Sequence, residues 1–78
     1  MNHISVEVIQ PAKKEKHADH YNEGQVVNMT SGDNHGLILC MNGTFQIFIN
    51  HSYVTASTHY EKAIGKLLTM MSNVSNQN

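Results

Sequence analysis

The sequence predicts an α+β domain, with a small antiparallel sheet of four to five strands packed on one C-terminal amphipathic helix. An Asn42-Gly43 pair separates two apolar runs, which is typical of a hairpin with a type I′ turn. Apolar and polar residues alternate near the N-terminus. Apolar residues then recur at helical spacing over about 59–73. Together these patterns predict a meander at 36–56 followed by the helix.

A first strand is predicted over residues 3–9, where the alternation is typical of a half-buried strand. Pro11 ends it, because proline lacks the N–H that a sheet ladder needs. The segment 11–24 that follows is polar and rich in Lys and His. A helix without an apolar stripe would be marginal in water, so we expect a loop there in preference to a short exposed helix.

Antiparallel strands are predicted over 25–56. Val27 and Met29 share one face of the second strand, and a turn-rich segment at 31–34 follows. In the hairpin, the type I′ turn places Cys40 opposite Phe45, and this register divides the side chains between two faces. The face expected to form the core carries Ile38, Cys40, Phe45, Ile47 and Ile49. The other face carries Leu37, Leu39, Met41, Thr44, Gln46 and Phe48.

A second tight turn at 50–51 would continue the meander to residue 56. With that turn, Val54 and Ala56 join the core face and Tyr53 joins Phe48 on the other face.

The helix is predicted over 58–74, with a frayed tail at 75–78. Thr58 and Glu61 match the capping-box pattern at its start. Gly65 weakens its middle by roughly 1 kcal/mol relative to Ala. Its apolar stripe comprises Tyr60, Ala63, Ile64, Leu67, Leu68, Met71 and Val74.

The chain has 78 residues, a length that predicts a single domain in which burial of the core only just offsets the loss of chain entropy. Its formal net charge is -1. Its five cations are all lysines, and a chain without Arg lacks the bidentate contacts that read guanine and phosphate. We therefore disfavour nucleic acid as a partner. The sequence has no signal peptide pattern and no apolar run long enough to span a membrane, so we expect a cytoplasmic protein without membrane contact.

No residue set predicts catalysis, a cofactor or a metal site. Cys40 lies in an apolar run, where we expect a buried thiol and not a nucleophile. His17, Asp19 and His20 could supply three metal ligands, but nothing in the sequence specifies a fourth. We therefore expect a protein that is not an enzyme and binds neither metal nor cofactor.

The strongest functional expectation comes from the second sheet face, because one helix can cover only one side of a sheet. Strand one or the loop after Pro11 could fold over that face. If neither covers it, the second sheet face exposes more apolar surface than a monomer normally does. Such an exposed face predicts a homodimer or a docking site for another protein. The predicted partner-binding residues are Leu37, Leu39, Met41, Phe48 and Tyr53.

The alternative function is a nucleic-acid-associated regulator that uses the Lys-rich segment. Its candidate residues are Lys13, Lys14, Lys16, His17 and His20, with Lys62 and Lys66 extending the patch. Acidic residues dilute the same segment, which favours a solvated loop. A short, Asn-rich chain without enzyme motifs also fits an accessory protein of a phage or mobile element that inhibits a host machine, such as a defence system, by occupying its surface.

Overall fold

A computed structural model describes residues 3–14 and 16–75. Five antiparallel strands form one sheet in the order β1-β2-β3-β4-β5, and one helix packs on it. The predicted α+β fold is therefore confirmed. The predicted tail lies outside the described residues beyond Ser75. The elements are β1 Ser5–Val8, β2 Gly24–Ser31, β3 Asn34–Met41, β4 Thr44–Ile49, β5 Ser52–Ser57 and α1 Tyr60–Ser75, with a 3-10 turn at Ala18–His20 between β1 and β2.

The two meander turns form because their residues tolerate left-handed backbone. Asn42 and Gly43 have φ of 52° and 75°, and Asn50 and His51 have φ of 51° and 72°, as type I′ turns require. The β3–β4 register agrees with the prediction at all five predicted pairs, from Met41 opposite Thr44 to Leu37 opposite Phe48. The sequence of this hairpin therefore determines which side chain points to which side of the sheet.

The helix covers one side of the sheet, which we call the covered face. Phe45, Ile47, Leu67 and Met71 are fully buried between the two layers. Gly36 lets the helix approach β3, because a Cβ there would lie 2.8 Å from Cδ1 of Leu67. The opposite side of the sheet is called the open face below.

A bulge in β5 changes the predicted facing of its residues. The register shifts between Ile47 and Phe48, so that Thr55 faces Ile47 and Ala56 faces Gln46. Ala56 therefore lies on the open face, and its predicted place on the core face is wrong. Val54 is the extra residue and is 45% exposed, because a bulged residue falls outside the pairing alternation.

The first strand is shorter and more exposed than predicted. It spans Ser5–Val8 and pairs with β2 as the outer strand of the sheet. Val6 and Val8 lie opposite Met29 and Val27, yet are 48% and 50% exposed. The single helix packs on β2 to β5, which leaves the β1 side chains without cover.

The polar segment 11–24 contributes to the core, which its composition did not predict. Ala18 and Tyr21 are buried, and the Tyr21 ring stacks on Tyr60 with 5.4 Å between centroids. The Tyr21 hydroxyl accepts a hydrogen bond from the backbone N–H of Lys13 at 2.6 Å. The segment is a loop as expected, but two of its side chains close one end of the core.

The helix start also differs from the predicted capping box. The helix begins at Tyr60, whose N–H donates to the Lys16 carbonyl at 3.1 Å. Oγ1 of Thr58 lies 3.1 Å from Nδ1 of His59, and the Glu61 carboxylate accepts from Nζ of Lys16 at 2.7 Å. A loop carbonyl distant in sequence thus satisfies one of the free N–H groups of the first helical turn, and the side chains of Thr58 and Glu61 have partners other than those of a capping box.

Candidate protein-binding face

All five predicted partner-binding residues lie together on the open face. Leu37, Leu39 and Met41 alternate along the central strand β3, and Phe48 and Tyr53 follow on β4 and β5. Met41 is 38% and Tyr53 57% exposed, and the other three are half-buried. The alternation along β3 and the β3–β4 register produce this clustering, whereas the place of Tyr53 depends on the turn at 50–51.

Two aromatic rings form the most prominent part of this surface. Phe48 lies directly opposite Tyr53, with ring centroids 5.8 Å apart and ring planes at 74°. This edge-to-face arrangement is favourable for aromatic pairs. The pair presents two large side chains with few rotatable bonds, which contribute contact area to a partner at low entropic cost.

Polar side chains border the apolar residues. One row crosses all five strands in the order Glu7, Asn28, Leu37, Phe48, Tyr53. Nδ2 of Asn28 donates to Oε1 of Glu7 at 3.4 Å, so the β1 end of the row is polar. Gln46 lies opposite both Leu39 and Ala56. An apolar centre with a polar rim is the usual anatomy of a protein interface.

No other described element covers this face. β1 extends the sheet at its edge instead of folding over it. The segment after Pro11 crosses the covered face, where the Ala18 carbonyl accepts from Sγ of Cys40 at 3.4 Å. The suggestion that strand one or this loop hides the apolar residues is therefore wrong for the described part of the chain.

The residues of the nucleic-acid alternative are largely engaged within the chain. Nζ of Lys16 donates to Glu61, and Nζ of Lys13 lies 5.4 Å from the centroid of the Tyr21 ring. Lys14 is exposed. His17 is hydrogen-bonded to Asp19 through Nδ1, and the ring of His20 lies 6.5 Å from that of His17. The segment therefore presents less free positive charge than its lysines suggest.

The His17 contacts tie the segment to the start of the helix. The ring lies edge-on to that of His59, with 5.4 Å between centroids, and the two residues form a β-bridge. The hydrogen bond from His17 lowers the pKa of the Asp19 carboxyl. In the described ranges, no three His, Cys, Asp or Glu side chains are grouped so that they could hold a metal ion.

Cys40 is buried on the covered face, as the sequence predicted. It is 2% exposed, and burial raises the pKa of its thiol. A reactive cysteine needs the opposite setting, with an exposed sulfur and a lowered pKa. Cys40 therefore acts as a small core side chain.

Comparisons with known proteins identify no relative of this chain. Neither family models, nor curated sequences, nor solved structures match the chain. Among the described residues there is no helix long and apolar enough to cross a membrane.

Proposed function

We propose that this chain is a small non-catalytic protein-binding factor that acts by occupying the surface of a partner through its open face. The observation that carries the proposal is the uncovered cluster of Leu37, Leu39, Met41, Phe48 and Tyr53. Soluble monomers rarely expose a contiguous apolar patch of this kind unless it serves an interaction.

The chemistry of the cluster supports a protein partner over a nucleic acid. Aromatic residues and Met are enriched at protein interfaces, and charged residues are depleted from their centres. In the described strands, the formal charge on this face is Glu7, at the outer strand. An acidic rim would repel phosphate, whereas an apolar centre gains free energy by excluding water.

Self-association is the simplest way to fill such a face. In a dimer with a two-fold axis, the apolar patch of one copy faces the same patch of the other copy, so the two contacting surfaces match in polarity. In a homodimer the partner on the open face is a second copy of the chain, and in a monomer the face is free for a different protein. Measuring self-association therefore comes first.

The experiment measures solution mass across a concentration series for three proteins: the wild type, Phe48→Lys and Leu68→Lys. Leu68 is the matched control, because it is an exposed apolar residue on the helix. We expect a dimer for the wild type and for L68K. In F48K, we expect the dissociation constant to rise about thirtyfold, which corresponds to a hot spot of about 2 kcal/mol.

A folded F48K protein that dimerises like the wild type would contradict a dimer through the open face. A wild type that stays monomeric would exclude self-association and leave a different protein as the occupant. The narrower expectation of a phage or mobile-element inhibitor is based on length and composition. The genes beside this one provide its test.

A further inference from the structure

A cleft of about 410 Å³ opens beside the first half of α1, at the end of β5. Three hydroxyl side chains line its sheet side, from Thr44, Ser57 and Thr58, and Lys62 and Lys66 line its helix side. Oγ1 of Thr44 donates to the Met41 carbonyl and Oγ of Ser57 to the His59 carbonyl. His59 also lines the cleft, with its Nδ1 3.1 Å from Oγ1 of Thr58, and the two lysines are the charged donors there.

A second cleft continues along the helix and shares both lysines. Gly65, Thr69 and Met70 complete its lining. Gly65 has open space where a Cβ would be, which leaves a depression between the two lysine stems. Together the clefts form a groove, here called the lysine groove, with a cationic centre and an apolar continuation.

The two charges of the lysine groove have no counter-charge within the described chain. Among the described residues, the lysine that forms an ion pair is Lys16, and its partner is Glu61. No described residue lining either cleft is acidic. Lys62 and Lys66 thus stand one helical turn apart with the same sign, which destabilises a helix.

The position of Lys62 near the start of the helix is also electrostatically unfavourable. It is the third residue of α1, and the N-terminal end of a helix dipole is positive and favours anions over cations. A bound anion would relieve both the like-charge repulsion and the dipole mismatch. The lysine groove is therefore preorganised for negative charge.

The spacing of the lysines indicates the form of the ligand. Four residues of α-helix rise about 6 Å. In an extended chain, side chains two residues apart point the same way and are about 6.6 Å apart. Carboxylates at alternate positions of an extended segment would therefore match Lys62 and Lys66 one to one.

We propose that the lysine groove binds an extended acidic segment of a partner protein, with Asp or Glu at alternate positions. Lys62 and Lys66 each receive one carboxylate, and the intervening side chain points away from the groove. A nucleic acid is the less suitable anion, because His59 is the one ring among the described residues that line the groove, whereas stacking on successive bases needs several rings. The groove meets the open face at Thr44 and Ala56, but none of the five residues of the apolar cluster lines it, so its test does not depend on that cluster.

The test is an NMR titration of the full chain at low ionic strength with three probes. The first is a short peptide in which Glu alternates with Thr. The second has the same composition with its Glu residues adjacent, and the third is an oligothymidylate of equal charge. We expect the alternating peptide to bind most tightly and to shift the amide signals from Ser57 to Met70.

Two variants of equal net charge serve as the comparison. K62Q/K66Q should weaken binding of the alternating peptide about fivefold, the loss of two exposed ion pairs. K13Q/K14Q should leave it unchanged, and so should F48K, which tests the open face. Equal weakening in both lysine variants, tighter binding of the oligothymidylate, equal binding of both peptides, or no shifts around the groove would each overturn the proposal.

Discussion

Both faces of the sheet carry large apolar side chains, but the two faces have different environments. Phe45 and Phe48 are three residues apart on β4, yet Phe45 is completely buried and Phe48 remains partly exposed. The difference arises because the chain has one long helix, which packs on one side. The comparison shows that the open face exceeds what this fold can bury by itself.

The side-chain types of the two faces also differ. The covered face uses β-branched residues on the central strands, including Ile38 and Ile47, whose stiff side chains suit a fixed core. The open face uses Leu37, Leu39 and Met41 on β3. None of these side chains is branched at Cβ, and the unbranched Met in particular adapts to different contacts and is common at binding surfaces.

The largest expected effect is a difference in stability between alanine variants of the two phenylalanines, Phe45 and Phe48. Phe45→Ala removes a fully buried ring and should reduce the free energy of unfolding by about 3–5 kcal/mol, enough to unfold a domain of this size. Phe48→Ala should cost about 1 kcal/mol, because part of its ring already contacts solvent. Urea denaturation followed by circular dichroism measures both. Equal losses would mean that the open face is covered in solution.

Thiol labelling gives the next largest contrast. Cys40 is buried and the pKa of its thiol is raised, so the nucleophilic thiolate is scarcer than in a free cysteine at any given pH near neutrality. We expect the native protein to react about a hundredfold more slowly than denatured protein. A cysteine at position 39, made by Leu39→Cys with Cys40→Ala, should react much faster because it faces outward. Similar rates for the two native proteins would contradict the assignment of faces.

A pair of glycines provides the smallest and most local test. A Cβ on Gly36 would lie 2.8 Å from Cδ1 of Leu67 and 3.0 Å from Sδ of Met71. Gly36→Ala should therefore destabilise the protein by about 1–2 kcal/mol, as overpacking does. Gly65→Ala has open space and should stabilise by up to about 1 kcal/mol through helix propensity. Calorimetry measures the stability of both variants. A stabilising Gly36→Ala would mean that the helix does not pack closely on β3.

Local patterns in the sequence were sufficient for the hairpin and for the candidate face. The Asn42-Gly43 turn determines the β3–β4 register, and the register places Leu37, Leu39 and Phe48 on one side. These features depend on interactions between near neighbours, so alternation and turn chemistry predict them. The helix was predicted for the same reason, from the spacing of its apolar stripe.

Contacts between distant residues decided the rest. The Lys16 carbonyl satisfies the N–H of Tyr60, and the Tyr21 ring packs on Tyr60 and Phe45, although a polar segment gave no sign of either contact. The β5 bulge likewise moved Ala56 to the open face. The lysine groove formed only when α1 came to lie beside β5.

The sequence by itself thus determined the strands, their register in the hairpin and the surplus apolar face, because those follow from local geometry. The tertiary structure alone decided how the polar segment closes the core and which residues of the sheet lie beside Lys62 and Lys66, because both depend on groups brought together only by folding.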